Sequence, residues 1–244
     1  MIEYQVLRSR RKTLSLQVKY GQVFVRAPFH LDEQSISSFI QKKDAWLKAK
    51  ISEQSKTADL CCDFTQGSKF FLFGKLVSLN IIFTSSVKKT DVYLSSLNDS
   101  HQELVIVFSK RSQQKLADEL QLAVAVKKRI EHYLKEQAHN IIQPKVEYYA
   151  LLTQLAPTAI KIRQYRARWG SCNNRGEVSF NYLLMMLPID VIDYVIVHEL
   201  CHLRYLNHSE NFWQLVAQHF PGFIEAKKWI KSNQSALHWR TPVK

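Results

Sequence analysis

From Leu14 the chain alternates between apolar and polar positions. Leu14, Leu16 and Val18 enclose Ser15 and Gln17, Tyr20-Gly21-Gln22 reads as a turn, and Val23, Val25 and Ala27 resume the alternation. A period of two puts the apolar side chains on one face, which predicts a β-hairpin ending at Pro28. The period then lengthens. Asp32 or Ser35 can cap a helix running to about Gln54, with Ile36, Phe39, Ile40, Trp46 and Leu47 as its apolar stripe and Lys42, Lys43, Lys48 and Lys50 on its wet side. In this reading Trp46 belongs to the core. Short apolar runs follow at Phe70 to Phe73, Leu76 to Phe83, Val92 to Leu94 and Leu104 to Phe108, separated by turn residues and by the polar stretch Thr84 to Lys89. They predict strands.

Beyond Ser112 helical spacing returns. Leu116, Leu120, Val124, Ile130 and Leu134 predict one long helix to about His139, and the pattern resumes from Pro144 to Leu155. Ile160 to Arg163 alternates as a strand, Arg168-Trp169-Gly170-Ser171-Cys172 reads as a tight Trp-Gly turn, and Asn173-Asn174-Arg175-Gly176 is turn sequence. Val178, Phe180 and Tyr182 alternate after it, so an antiparallel hairpin is expected just ahead of the next helix. That helix is apolar on nearly every side, through Val191, Ile192, Val195, Ile196, Val197 and Leu200. The expected fold class is α+β: a β-rich region with helices over residues 1–111, then a domain over residues 112–244 built from a small antiparallel sheet and this central helix.

The central helix carries His198-Glu199-Leu200-Cys201-His202, and His208 follows six residues later. On a helix the two outer histidines lie about 40° apart on one face and can share a metal ion, while Glu199 between them can act as a base toward a water on that metal. Two histidines and a glutamate within one buried turn would cost several kcal/mol unless paired or metal-bound. The pattern therefore points to a Zn²⁺ hydrolase with Glu199 as general base. The spacing of His198, His202 and His208 is that of the metzincin metalloproteases, which have a glycine three residues after the second histidine. This chain has Tyr205 there. Asn207 is the local residue best suited to a left-handed turn out of the helix, and Glu210 and Glu225 remain rival third ligands to His208.

Composition changes this picture little. With 244 residues and 46% hydrophobic content the chain can fill a sizeable core. No run approaches about 18 uninterrupted apolar residues and the N-terminus shows no signal-peptide pattern, so a cytoplasmic protein without membrane partners is expected. Cys61 and Cys62 are adjacent, Cys172 and Cys201 stand apart, and all four are expected as reduced thiols. Cys201 points about 60° from His198 and about 100° from His202 around the helix, beside the site and not into it. The net charge of +13 points to an acidic partner such as nucleic acid, a nucleotide or a membrane surface, although the densest run, Arg8 to Lys12, precedes a strand pattern and belongs to no nucleic-acid-binding motif.

Several segments together resemble the YgjP-like metallopeptidases, which are related in motif to the SprT-like and WLM groups. They are Arg168 to Cys172, Asn181, Asp193 to His202, Asn207-His208-Ser209 and Phe212-Trp213, with Arg11 to Leu16 and Val25 to Pro28 near the N-terminus. The resemblance spans nearly the whole chain. It implies zinc ligands at His198, His202 and His208 and Glu199 as the base, and the leading expectation is a zincin-like C-terminal peptidase domain acting on a protein or peptide substrate. Cys201 stands where a small residue is common in that family. Arg168 to Ser171 then has a second reading as an active-site rim, with Arg168 or Tyr205 stabilising an oxyanion and the strand from Val178 to Tyr182 aligning an extended peptide. Phe212 and Trp213, on a helix with Leu215, Val216 and Phe220, read as core.

Two other functions fit parts of the pattern. A metal-dependent nucleotide phosphoanhydride hydrolase would use the same Lewis acid and the basic surplus, but the chain has six glycines and no phosphate loop. A nucleic-acid-associated protein-processing module rests on net charge alone.

Overall fold

The computed structural model describes residues 2–19, 21–58, 62–98, 101–165, 167–234, 236–237 and 239. Tyr20 of the first expected turn and Cys61 lie outside these residues. Among those described, ten strands form three small sheets beside six α-helices, an α+β protein as the pattern predicts. The chain divides into two compact units, Met1–Cys61 and Cys62–Lys244. The boundary expected from sequence lies after residue 111.

In the first unit, β2 (Ser15–Lys19) and β3 (Gln22–Pro28) pair antiparallel as the alternation requires. A further strand, β1 (Tyr4–Ser9), runs parallel to β3. All six of its residues are exposed. With no buried face it has no apolar period to read. The Arg8 guanidinium donates to the carbonyls of Pro28, Phe29 and Leu31 at 3.3, 3.1 and 2.6 Å, so the first arginine of the basic run fastens the loop after β3.

The expected helix to Gln54 is two helices. Helix α1 (Glu33–Lys42) is capped by Asp32, whose Oδ1 accepts from the Ser35 amide at 2.7 Å, and α2 (Asp44–Ala58) begins after a break at Lys43. The break changes which residues face inward. Leu47 is fully buried, whereas Trp46 is 45% exposed, so Trp46 is not core. Val23, Val25, Ala27, Ile36, Ile40 and Leu47 make up the small core of this unit.

The second unit opens with a four-stranded sheet ordered β4-β5-β7-β6, from β4 (Lys69–Leu72), β5 (Lys75–Thr84), β6 (Asp91–Asn98) and β7 (His101–Ser109). Phe70, Leu72, Val77, Leu79, Leu104 and Ile106 are buried in the same core as the C-terminal helices. Helix α3 is continuous from Glu119 to Thr153 and starts at the Asp118 cap, not at Ser112. Its buried stripe runs through Ala123, Val126, Ile130, Leu134, Ala138, Ile142 and Val146, while Val124 is 52% exposed. Pro144 does not split it into the two helices expected. The proline removes one bond to the carbonyl of Asn140, an exposed position that water can serve, and burial of Ile142 and Val146 on either side, about 1.5–3 kcal/mol each, holds the helix together.

The β4–β5 connection fixes the start of the central helix. Phe73 and Gly74 form a two-residue turn with φ of 49° and 75°, and their amides donate to the carbonyls of Met185 (2.8 Å) and Met186 (3.1 Å). A Cβ on Gly74 would lie 2.5 Å from Pro188 Cγ, so only glycine allows the turn to seat there. Pro188 leads directly into α4 (Ile189–Cys201), whose apolar residues Val191, Ile192, Val195, Ile196, Val197 and Leu200 are all buried. Lys145 of α3 grips Asp193 of α4 at 2.7 and 3.0 Å.

The third sheet has the order β8-β10-β9, with β8 (Ala159–Arg163), β9 (Gly170–Cys172) and β10 (Glu177–Asn181). Strand β10 is antiparallel to β9, as expected, and parallel to β8. It is therefore the central strand and cannot offer a free edge to a peptide, contrary to the expectation for Val178 to Tyr182. Gly170 begins β9 and does not form a turn. Helices α5 (Glu210–His219) and α6 (Phe223–Asn233) complete the unit. Among the described residues no helix is long and apolar enough to cross a membrane.

Candidate metal centre

Helix α4 delivers two imidazoles and one carboxylate to a cleft of about 430 Å³, whose lining includes Arg168 to Cys172, Tyr194, His198, Glu199, His202, Leu206, His208 and Ile230. The helix ends at His202. The amides of Leu203, Arg204 and Tyr205 bond back to the carbonyls of Leu200, Cys201 and Cys201, so the last turn unwinds through right-handed conformations. Asn207 is not left-handed: among the described residues only Phe64, Phe73 and Gln154 combine a side chain with positive φ. Asn207 instead accepts the Ser209 amide on Oδ1 at 3.3 Å, and Ser209 caps α5. No glycine is needed because the loop unwinds gradually and a side chain supports its far end.

This path returns His208 to the helix. One ligand nitrogen from each of His198, His202 and His208 lies within 4.8 Å of the others, and the Nε2 atoms of His198 and His208 are 3.1 Å apart. Glu210 and Glu225 stand outside this cluster, in the first turns of α5 and α6. The Nδ1 atoms of the two helix-borne histidines are engaged. His202 Nδ1 is 2.8 Å from the Tyr205 carbonyl, which can only accept, so Nδ1 carries the proton and Nε2 presents its lone pair. His198 Nδ1 is 3.4 Å from the Tyr194 hydroxyl. Tyr205 does not line the cleft through its ring.

Electrostatics also favour neutral imidazoles. Burial, followed by the neighbouring histidines and Lys227, pushes His198 down to about 3, and burial lowers His202 as well. Three neutral nitrogen donors at this spacing fit a divalent ion of borderline softness. Glu199 is 5% exposed, and burial raises its carboxyl to about 8 against the opposing charge of Arg168. Tyr194 is pushed up to about 12 by burial and by Glu199.

The wall opposite α4 explains the run from Arg168 to Cys172. A Cβ on Gly170 would fall 2.6 to 2.8 Å from Cγ, Oε1 and Cδ of Glu199, so the absence of a side chain on β9 makes the space the carboxylate occupies. Asn181, buried on β10, donates from Nδ2 to the carbonyls of Tyr165 (3.0 Å) and Arg168 (3.1 Å) and accepts the Leu183 amide. It pins the segment that precedes β9. Arg168 lies over the Tyr165 ring at 5.5 Å, and the Tyr165 hydroxyl meets Ser171 Oγ at 3.0 Å. Cys172 shares this wall and its thiol is raised by burial, whereas Cys201 is buried and pushed up to about 12.

Sequence reasoning missed Tyr194, although its position one turn before His198 on the same helix face is a usable signal. It also took Phe212 and Trp213 for core alone. Phe212 is indeed fully buried, but it stacks on His202 (4.4 Å, 22°) and presents its edge to His198 and His208.

A cleft holding three clustered imidazoles and a buried carboxylate is the equipment of a metal-dependent hydrolase. The family model of the YgjP-like metallopeptidase domain matches residues 12–233, and the chain belongs to that family. It is a metallopeptidase, and its substrates are proteins or peptides. A solved structure of the metallopeptidase zymogen abylysin from Pyrococcus abyssi is similar at 21% identity and a TM-score of 0.35, over 38% of this chain and 95% of that one. No curated protein matches the chain.

Proposed function

We propose that this protein is a zinc-dependent peptidase in which His198, His202 and His208 hold Zn²⁺ and Glu199 is the general base. The observation that carries this reading is the convergence in one cleft of three nitrogen donors within 4.8 Å and a carboxylate that is 5% exposed. Zinc in such a site supplies a Lewis acid that polarises a carbonyl and lowers the pKa of water.

The chain's own groups do the rest. Glu199, on the same cleft as the three histidines, is the group proposed to take a proton and return it to the departing amine. The Tyr205 carbonyl and the Tyr194 hydroxyl orient His202 and His198. Arg168, the lysine- or arginine-type cation on the cleft lining, is the group proposed to stabilise the oxyanion. Strand β9 is an edge strand on that lining, so an extended peptide is proposed to pair with its backbone from Gly170 to Cys172, in a zincin-like arrangement of edge strand over active-site helix. Apolar Trp169, Leu206 and Ile230 on the same lining suit peptide side chains better than nucleotide phosphates. The free thiols of Cys172 and Cys201 support a reducing, cytoplasmic setting.

Glu199→Gln tests the mechanism. Metal content should match wild type, and hydrolysis of an unfolded protein should fall by about 10²–10⁴. Full activity in that variant on a substrate the wild type cleaves would sink the assignment of the base.

A further inference from the structure

His208 differs from the other two histidines in how it is held. It is exposed and comes from a loop, and among the described residues its Nδ1 has no hydrogen-bond acceptor. Rings hold it instead. Trp213 stacks on the imidazole with centroids 5.4 Å apart and planes 21° from parallel, and Phe212 meets it edge-on at 4.9 Å. Trp213 is itself held: the Lys227 ammonium lies 3.8 Å from the indole centroid, and Phe223 stacks on it at 5.7 Å and 21°. Phe212 touches all three histidine rings and belongs to the core, but Trp213 is half-buried and meets the cluster through His208 and His198.

We propose that Trp213, clamped by Lys227 of α6, is the positioning residue for the loop-borne ligand His208 and so sets metal affinity. The inference rests on the three-histidine reading of the site. Stacking fixes the plane of a ring and leaves its in-plane nitrogens free, which suits a histidine whose Nδ1 has no acceptor among the described residues. The indole keeps the imidazole aimed at the cluster, and the ammonium over the indole face limits movement of the indole. Two helices thereby act on one loop ligand: α5 supplies the ring and α6 the cation that holds it.

Zinc dissociation constants from competition with a chromophoric chelator, with cobalt ligand-field spectra as a second readout, test the proposal. Trp213→Leu should weaken zinc binding by about ten- to a hundredfold and alter the cobalt spectrum, while Trp213→Phe keeps most of the affinity. Lys227→Met removes the clamp and also a cation that acts on His198, so its readout is an altered cobalt spectrum and not affinity alone. In a His208→Ala background, Trp213→Leu should cause a much smaller further loss, because the ligand it positions is gone and only its contact with His198 is left. Equal loss in both backgrounds, or wild-type affinity in Trp213→Leu, would overturn the proposal. If Trp213→Leu does not fold, a wild-type cobalt spectrum in Lys227→Met would overturn it, and an altered one would support it. Wild-type zinc affinity in His208→Ala alone would instead overturn the three-histidine reading, so the two failures are distinguishable.

Discussion

Helix α4 and the loop from Leu203 to Ser209 contribute to the same candidate metal centre by different physical means. The helix brings His198, Glu199 and His202 on a backbone buried along nearly its whole length, with hydrogen-bond partners for both imidazoles. The loop brings one exposed histidine, supported by a side-chain bond from Asn207 to the Ser209 amide and by stacked rings. A ligand on a packed helix inherits its position from the core. A ligand on a loop has to be positioned locally.

The largest expected effect separates these two sources. His202→Ala removes a helix-borne donor and should cost more than about a hundredfold in zinc affinity, beyond the range for outer-shell partners, whereas His208→Ala should retain measurable binding through the two donors of α4. Equal losses in chelator competition would mean that loop and helix ligands are held equally well. Next in size is the wall that faces the helix. Gly170→Ala brings a Cβ within 2.6 Å of Glu199 Cγ and should lower kcat by about tenfold to a hundredfold through displacement of the base, with metal content unchanged. Unchanged kcat would show that the carboxylate can sit elsewhere and still work. Tyr194→Phe removes the 3.4 Å contact to His198 and should weaken zinc by about tenfold, without the larger effect of ligand loss.

The smallest functional effect is on the pH dependence of stability after the metal has been stripped with chelator. His198 and His202 titrate below their ordinary values, so the unfolded chain binds more protons in acid, and stability from these groups is lost as pH falls below about 6.5 toward 3. Glu199 has the opposite sign. Its folded value of about 8 lies above the ordinary carboxylate value of 4.5, so its contribution is full below about 4.5 and is lost as pH rises through about 8. Urea unfolding across this range should show Glu199→Gln flattening the alkaline side and leaving the acid side intact. An unaltered alkaline slope would assign the loss to another group.

Local chemistry was enough to find the centre of the site. His198, Glu199 and His202 lie within one helical turn, their spacing alone puts both imidazoles on one face, and the apolar residues around them marked the helix as buried. The alternation of β3 was legible for a similar reason: Val23, Val25 and Ala27 are buried and alternate with the more exposed Phe24 and Arg26, and a period of two reveals that face. Strand β1 was not, because none of its residues is buried, and Pro144 misled because the breaking tendency of a proline is local whereas the burial that overrides it is tertiary. Trp46 was misplaced because a one-residue break at Lys43 rotates everything that follows it.

By itself, then, the sequence determined that His198, Glu199 and His202 lie together and which helix carries them, since both follow from spacing along one rigid element. Only the tertiary structure decided that β10 is central and β9 the edge, that Gly170 makes room for Glu199, and that His208 closes the cluster through an unwound turn beside Trp213. Those contacts join residues far apart in the chain or depend on a loop path without a period, and no local pattern encodes either.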